Sequence, residues 1–212
     1  MDVLVEISEF LQKGNEEKVF ELTKQAIKKS IPPKEILDSG LIAGMDVIGE
    51  KFRKHEIFLP DVLLAAKAMY AGMDQLKPLF LKDEIPTLGK VVIGTVHGDL
   101  HDIGKNLVGI MLKGAGFDVI DLGKDVPAEK FVDVAVKESA KAIGMSTLLT
   151  TTTPVMKQVI DILKERKLDS AIKTIVGGAP LSEELAREIG ADTFGYDAAN
   201  AVVCMKELIG PS

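Results

Sequence analysis

From residue 90 onward, short β-branched runs alternate with helical patterns five times over, and this rhythm limits the fold more than any other feature. The runs lie at 91–95, 118–122, 142–146, 174–177 and 192–194. Helical periodicity fills the stretches 103–115, 127–139, 154–166, 183–189 and 198–208. Thr153-Pro154 and Ser182-Glu183-Glu184 read as cap-and-start pairs. Strands that alternate with helices predict a parallel sheet covered on both faces. At about 120 residues, the expected strand order is the flavodoxin-like 2-1-3-4-5.

Before this region the period is helical throughout. Val5, Phe10 and Leu11 mark one run, and Val19, Phe20, Leu22 and Ile27 a second. Pro32-Pro33 opens a third, with Ile36, Leu37, Leu41, Met45, Ile48 and Phe52. Pro60 opens a fourth, with Val62, Leu63, Ala66, Met69, Met73 and Leu76. Proline suits the first helical turn, where its missing N–H costs nothing. Four short-linked helices predict a bundle. The segment 82–89, with its charges, Pro86 and Gly89, reads as a linker. The expected domains are a helical cap at 1–85 and an α/β domain at 86–212.

Composition narrows the function. The chain has 212 residues, is 46% hydrophobic and carries a net charge of -6. Neither half has the basic surplus that nucleic acid demands. No apolar run reaches membrane-span length, and the Met1-Asp2-Val3 start lacks the basic, apolar pattern of a signal peptide. A cytoplasmic protein is expected. Three His and one Cys are too few for a site in which protein supplies every metal ligand.

In a doubly wound sheet, ligands bind outside the carboxyl ends of the strands. Those ends carry the unusual residues here. Strand one leads into His97-Gly98-Asp99-Leu100-His101-Asp102-Ile103-Gly104, and strand three into Ser146 and the Thr-rich run to Thr153. Strand four ends in Gly177-Gly178, and strand five is followed by Tyr196. An Asp two residues before a His can take the Nδ1 proton and free Nε2 for a metal. Glycines after a strand permit close backbone approach. A rival reading makes His97, Asp99, His101 and Asp102 the ligands of a metallohydrolase, but such sites need further ligands from other loops.

Asp99-x-His101-x-x-Gly104, then 41 residues, Ser146-x-Leu148, then 28 residues, and Gly177-Gly178 form one ordered set. This set resembles the cobalamin-binding signature of the corrinoid proteins that serve methylamine, methanol, betaine or aryl methyl ether methyltransferases. It is also similar to the cobalamin-binding module of methionine synthase. The likeness spans essentially the whole chain, with Phe58-Leu59-Pro60-Asp61-Val62-Leu63-Leu64-Ala65-Ala66 resembling the helical cap.

The resemblance implies a Rossmann-like cobalamin domain behind a four-helix cap, with cobalamin or a related corrinoid as cofactor. It makes His101 the lower axial ligand of cobalt and Asp99 its tuning partner. Thr152 stands where the family's relay hydroxyl is often Ser. Gly98, Asp102, Ile103 and Gly104 would border the entry of the cofactor tail, Ser146 and Leu148 would line its slot, and Gly177 and Gly178 would lie beside it. Thr150, Tyr196 and Ala198 would complete the tail pocket. Phe58, with Leu59, Val62 and Met69, resembles an apolar lid over the upper cobalt face, which would move on a hinge in 82–89.

The implied function is a methyl carrier, inactive alone. It would accept a methyl group on cob(I)alamin from a substrate-specific methyltransferase. It would pass that group, as methylcob(III)alamin, to a second methyltransferase acting on a thiol or a tetrahydropterin. A reductive activase would restore the oxidised cofactor. The alternative within the same signature is the small subunit of an adenosylcobalamin-dependent isomerase, which the four-helix cap disfavours. A cobalamin-sensing regulator would need a DNA-binding segment, and a phosphoacceptor receiver an Asp where Ser146 stands.

Overall fold

The computed structural model describes residues 2–80 and 87–210. Of these, residues up to 80 form one compact unit, and nearly all from 87 onward form a second. Among the described residues no helix is long and apolar enough to cross a membrane.

The first unit is a bundle of four helical rods. α1 (Val3–Gln12) starts where the Asp2 carboxylate accepts the Leu4 N–H at 3.1 Å. α2 (Glu16–Lys28) starts where Asn15 accepts the Lys18 N–H at 3.0 Å. The third rod runs from α3 (Pro33–Glu35) through a π-helical stretch (Ile36–Ile42) into α4 (Ala43–Arg53). α5 (Leu59–Leu76) follows, then a 3-10 turn at Lys77–Leu79. Residues three or four apart turn inward: Leu4, Ile7 and Leu11 on α1, and Val62, Ala65, Ala66, Met69 and Leu76 on α5. The expectation that Val62 and Met69 belong to a lid is therefore corrected. Both are buried in the bundle core, as their spacing from Leu76 requires. Phe58 is 69% exposed, and Leu63 and Leu64 share its exposure.

The second unit is the expected doubly wound sheet. The strands are β1 (Lys90–Thr95), β2 (Asp118–Asp121), β3 (Ala142–Ser146), β4 (Lys173–Gly177) and β5 (Thr193–Gly195). All pairs are parallel, and the order is β2-β1-β3-β4-β5. The covering helices are α6 (Ile103–Gly114), α7 (Ala128–Lys137), α8 (Thr153–Glu165), α9 (Glu183–Ile189) and α10 (Ala198–Ile209). Val92, Ile143, Met145 and Val176 from the strands meet Phe131, Val159 and Leu163 in one core.

Three local expectations shift. The fifth strand starts at Thr193 rather than 192, because the Asp192 carboxylate turns aside to accept the Thr174 N–H and hydroxyl, each at 2.8 Å. Thr153 is the first residue of α8 rather than its cap, and its buried hydroxyl has no hydrogen-bond partner among the described residues. Ser182 does cap α9, accepting the Leu185 N–H at 3.2 Å. Of the expected linker 82–89, residues 82–86 lie outside the described residues. Thr87 is tied into the sheet, its hydroxyl accepting the N–H groups of Gly89 and Asp118 at 3.1 Å each.

Candidate functional site

The β1–α6 loop is folded around one carboxylate. Gly98 turns it at φ +84, in the left-handed region that favours glycine. The Asp99 side chain that follows is fully buried. Its Oδ1 accepts the His101 N–H at 2.9 Å and meets His101 Nδ1 at 2.7 Å. Its Oδ2 accepts the Leu148 N–H at 2.6 Å and the Thr147 hydroxyl at 2.8 Å. Burial would push the Asp99 carboxyl up. The N–H groups of His101 and Leu148, the Thr147 hydroxyl and the His101 ring outweigh it and hold the group far below the carboxylate range.

An ionised Asp99 places the imidazole proton on Nδ1 and leaves the Nε2 lone pair unclaimed by it. The His101 side chain is 56% exposed, so that lone pair lies at a surface while its partner is sealed below. The Thr95 hydroxyl donates to the His101 carbonyl at 2.9 Å and ties the loop to the strand. On the loops after β1 and β3 and at the start of α6, Leu100, Ile103, Leu148 and Leu149 expose apolar surface. Gly104, on the first turn of α6, has nothing within 4 Å of where a Cβ would sit.

The remaining expected residues are placed as follows. Asp102 precedes α6, its carbonyl accepting the Asn106 N–H at 2.8 Å. Ser146 is half-buried at the end of β3, with its carbonyl accepting the Val96 N–H at 3.1 Å. Thr150 is exposed, and Thr152 is buried with its Oγ1 at 2.5 Å from that of Thr147. At Gly177 and Gly178 the fold has its own need for glycine. A Cβ at Gly178 (φ +131) would lie 1.8 Å from the Thr147 carbonyl oxygen, and one at Gly177 2.9 Å from that of Gly195. The chain's own backbone there leaves no room for a side chain. Ala198 is buried in the first turn of α10 and exposes almost no surface. Tyr196 is exposed and lines a separate cavity of about 420 Å³ at the sheet edge with Phe194, Arg187 and Cys204. Phe58 belongs to the helical unit, at the N-cap of α5, where its N–H meets Asp61 at 2.9 Å.

Sequence reasoning missed three residues. Thr147 lay in the quoted Thr-rich run, but only the fold shows its hydroxyl on Asp99. Asp125, in the β2–α7 loop, accepts the Gly98 N–H at 2.8 Å and pairs with His97 Nδ1 at 2.7 Å. Lys105, on the first turn of α6, is buried against Asp121 at 2.6 Å, anchoring the helix to the end of β2. No local pattern announces either long-range pair.

These pairings also correct the metallohydrolase alternative. Asp99 spends both oxygens on four protein donors, and Asp125 claims His97. Among the described residues no group of three or more His, Cys, Asp or Glu side chains could hold a metal ion. One anchored imidazole beside exposed apolar side chains and open space at Gly104 fits a metal that brings its other ligands in a ring.

Fold and site thus define a B12-binding protein, and family comparison agrees. A family model for the B12 binding domain matches residues 89–203, and a second B12 binding domain model matches residues 3–77. A corrinoid protein of Desulfitobacterium hafniense is 42% identical over 99% of this chain and 99% of its own length. Dimethylamine corrinoid protein 3 of Methanosarcina acetivorans is 42% identical over 98% of this chain and 97% of its own. In the crystal structure of the methanol:cobalamin methyltransferase complex from Methanosarcina barkeri, one chain matches with a TM-score of 0.89 at 32% identity. The match covers 98% of this chain and 80% of that one. The chain belongs to the corrinoid proteins of methyltransferase systems.

Proposed function

We propose that this protein carries methyl groups between two methyltransferases on a corrinoid held by His101. The observation that carries the reading is the anchored imidazole. Asp99 fixes its tautomer and orientation from a fully buried position, while the ring itself stands exposed at the carboxyl end of the sheet. When bound, the corrinoid supplies a cobalt nucleophile that takes up a methyl group and yields it to an acceptor. The protein's residues do the rest. His101 Nε2 would hold the cobalt, and Asp99 would set how strongly it donates. Leu100, Ile103 and Leu148 give the ring an apolar seat, and Gly104 leaves room for the tail. Gly98 shapes the loop. Asp102, Ser146, Thr150, Gly177 and Gly178 border the path with smaller roles.

The partners follow from the chemistry. A substrate-specific methyltransferase presents the donor, and the names of the relatives support a small methylated amine or alcohol. A second methyltransferase delivers the group to a thiol or tetrahydropterin, and a reductive activase returns oxidised cobalt to its nucleophilic state. The setting is the cytoplasm.

Reconstitution with hydroxocobalamin tests the reading. The wild type should retain the corrinoid through desalting, with a spectrum that His101→Ala alters. A protein that retains none ends the proposal, and an identical spectrum in the variant removes His101 as ligand.

A further inference from the structure

The hydroxyls behind Asp99 form a chain in which Thr152, the expected relay, does not reach the carboxylate directly. Thr147 stands between them. Its Oγ1 lies 2.8 Å from Asp99 Oδ2 and 2.5 Å from Thr152 Oγ1, and both side chains are buried. The Leu149 N–H also donates to Thr147 Oγ1, at 3.2 Å, and Thr152 Oγ1 has the Leu149 carbonyl at 3.0 Å.

A hydroxyl has one proton and two lone pairs, whereas an ionised carboxylate can only accept. The Thr147 proton therefore goes to Asp99 Oδ2, the charged acceptor. Its lone pairs face the Leu149 N–H and the Thr152 hydroxyl. Thr152 can spend its proton on Thr147 or on the Leu149 carbonyl, so its influence on Asp99 passes through Thr147. The carboxylate itself is divided. Oδ2 is clamped by Thr147 and the Leu148 N–H, and that clamp turns Oδ1 toward the His101 ring.

We infer that Thr147 is the positioning residue of the ligand histidine, fixing Asp99 so that Asp99 fixes His101, and that Thr152 acts only through Thr147. The inference rests on the reading of His101 as cobalt ligand. It differs from a simple packing role because it requires the hydroxyl rather than the volume of Thr147. It also requires the effects of Thr147 and Thr152 to be coupled.

The test uses the full chain loaded with hydroxocobalamin and reduced to the Co(II) state. The fraction of bound cofactor with an axial imidazole is read from nitrogen splitting in the EPR spectrum, and the Co(II)/Co(I) midpoint potential is measured alongside. Thr147→Val should shift the equilibrium between ligated and unligated His101 by about tenfold or more, as expected for one lost hydrogen bond to a buried charge. The potential should move to less negative values. Thr147→Ser should restore both readouts. Thr152→Val should have a smaller effect alone and none when added to Thr147→Val. If Thr147→Val does not fold, Thr147→Ala and the serine variant provide the same contrast. Wild-type readouts from Thr147→Val or Thr147→Ala, or a Thr152→Val effect of equal size in both backgrounds, overturns the inference. A wild type with no imidazole splitting, or no bound corrinoid, instead overturns the reading beneath it.

Discussion

The two units bury different chemistry. In the helical unit, Thr23 is the buried polar side chain, and its hydroxyl has no hydrogen-bond partner among the described residues. Everything else recorded as buried there is apolar or glycine, arrayed at helical spacing. The sheet unit buries Thr95, Asp99, Lys105, Thr147, Thr152, Thr153 and Thr174. Most of these lie at or just beyond strand carboxyl ends, and five of them are hydrogen-bonded to residues or backbone close to the β1–α6 loop. Burying a polar group is costly unless it is paired. A region that does so repeatedly, with partners supplied, has been shaped by something besides stability.

Substitutions that ask each unit for its weakest point can break that contrast. Leu11, fully buried on α1, should cost about 2–5 kcal/mol as Leu11→Ala in urea denaturation of the apo protein, by lost transfer energy and residual cavity. Asp99→Asn should cost less, about 1–3 kcal/mol, because one amide hydrogen-bond donor now faces the Leu148 N–H and the Thr147 hydroxyl. The second variant carries a pH signature that the first lacks. The folded-state pKa of Asp99 is depressed, so its contribution is fully present above the ordinary carboxylate value near ~4 and is lost as pH falls below it. The gap between wild type and Asp99→Asn should hold from neutral pH to about 5 and narrow by pH 3. A gap of constant width would mean that the charge of Asp99 contributes nothing to the fold.

The same contrast explains what could be read from the chain. Helical spacing revealed the bundle, since burial of Leu11, Val19 and Val62 depends on neighbours three and four residues away. Alternation of strands with helices revealed the parallel sheet, and the length of that region its flavodoxin-like order. The Asp99–His101 pair was also legible, because its members are two residues apart. Thr147 and Asp125 were not: Thr147 lies 48 residues from Asp99, and Asp125 lies 27 from Gly98 and 28 from His97, in contacts that exist only after β1 has paired with its neighbours. Gly178 shows a further limit: a Cβ there would collide with the Thr147 carbonyl, a need for glycine that no sequence pattern could have announced.

Within the sheet unit, the two His–Asp pairs form a narrower comparison. His101–Asp99 has a carboxylate with no exposure, whereas His97 and Asp125 are 64% and 48% exposed at the same 2.7 Å separation. Solvent screens the outer pair, and equal distance does not mean equal strength. Asp125→Ala should therefore change thermal stability less than Asp99→Asn, chiefly through the lost acceptor for the Gly98 N–H. Its effect should shrink further in high salt. An Asp125→Ala variant that melts as early as Asp99→Asn would show that the outer pair also holds the loop.

The smallest expected stability change separates the demands of folding from those of the site. A Cβ at Gly104 meets nothing, and the residue lies in the first turn of α6 without a positive φ. Alanine is the better helix former there, so Gly104→Ala should raise apo stability by up to about 1 kcal/mol. The same methyl group would project into the space proposed for the corrinoid tail. Hydroxocobalamin should then bind the variant more weakly, in equilibrium titration, although the protein beneath it is more stable. A glycine that works against helix propensity is explained if the empty space beside it has an occupant. Gain in stability with unchanged corrinoid affinity would place the tail elsewhere along the carboxyl edge, and leave His101 without Gly104 as its neighbour in the site.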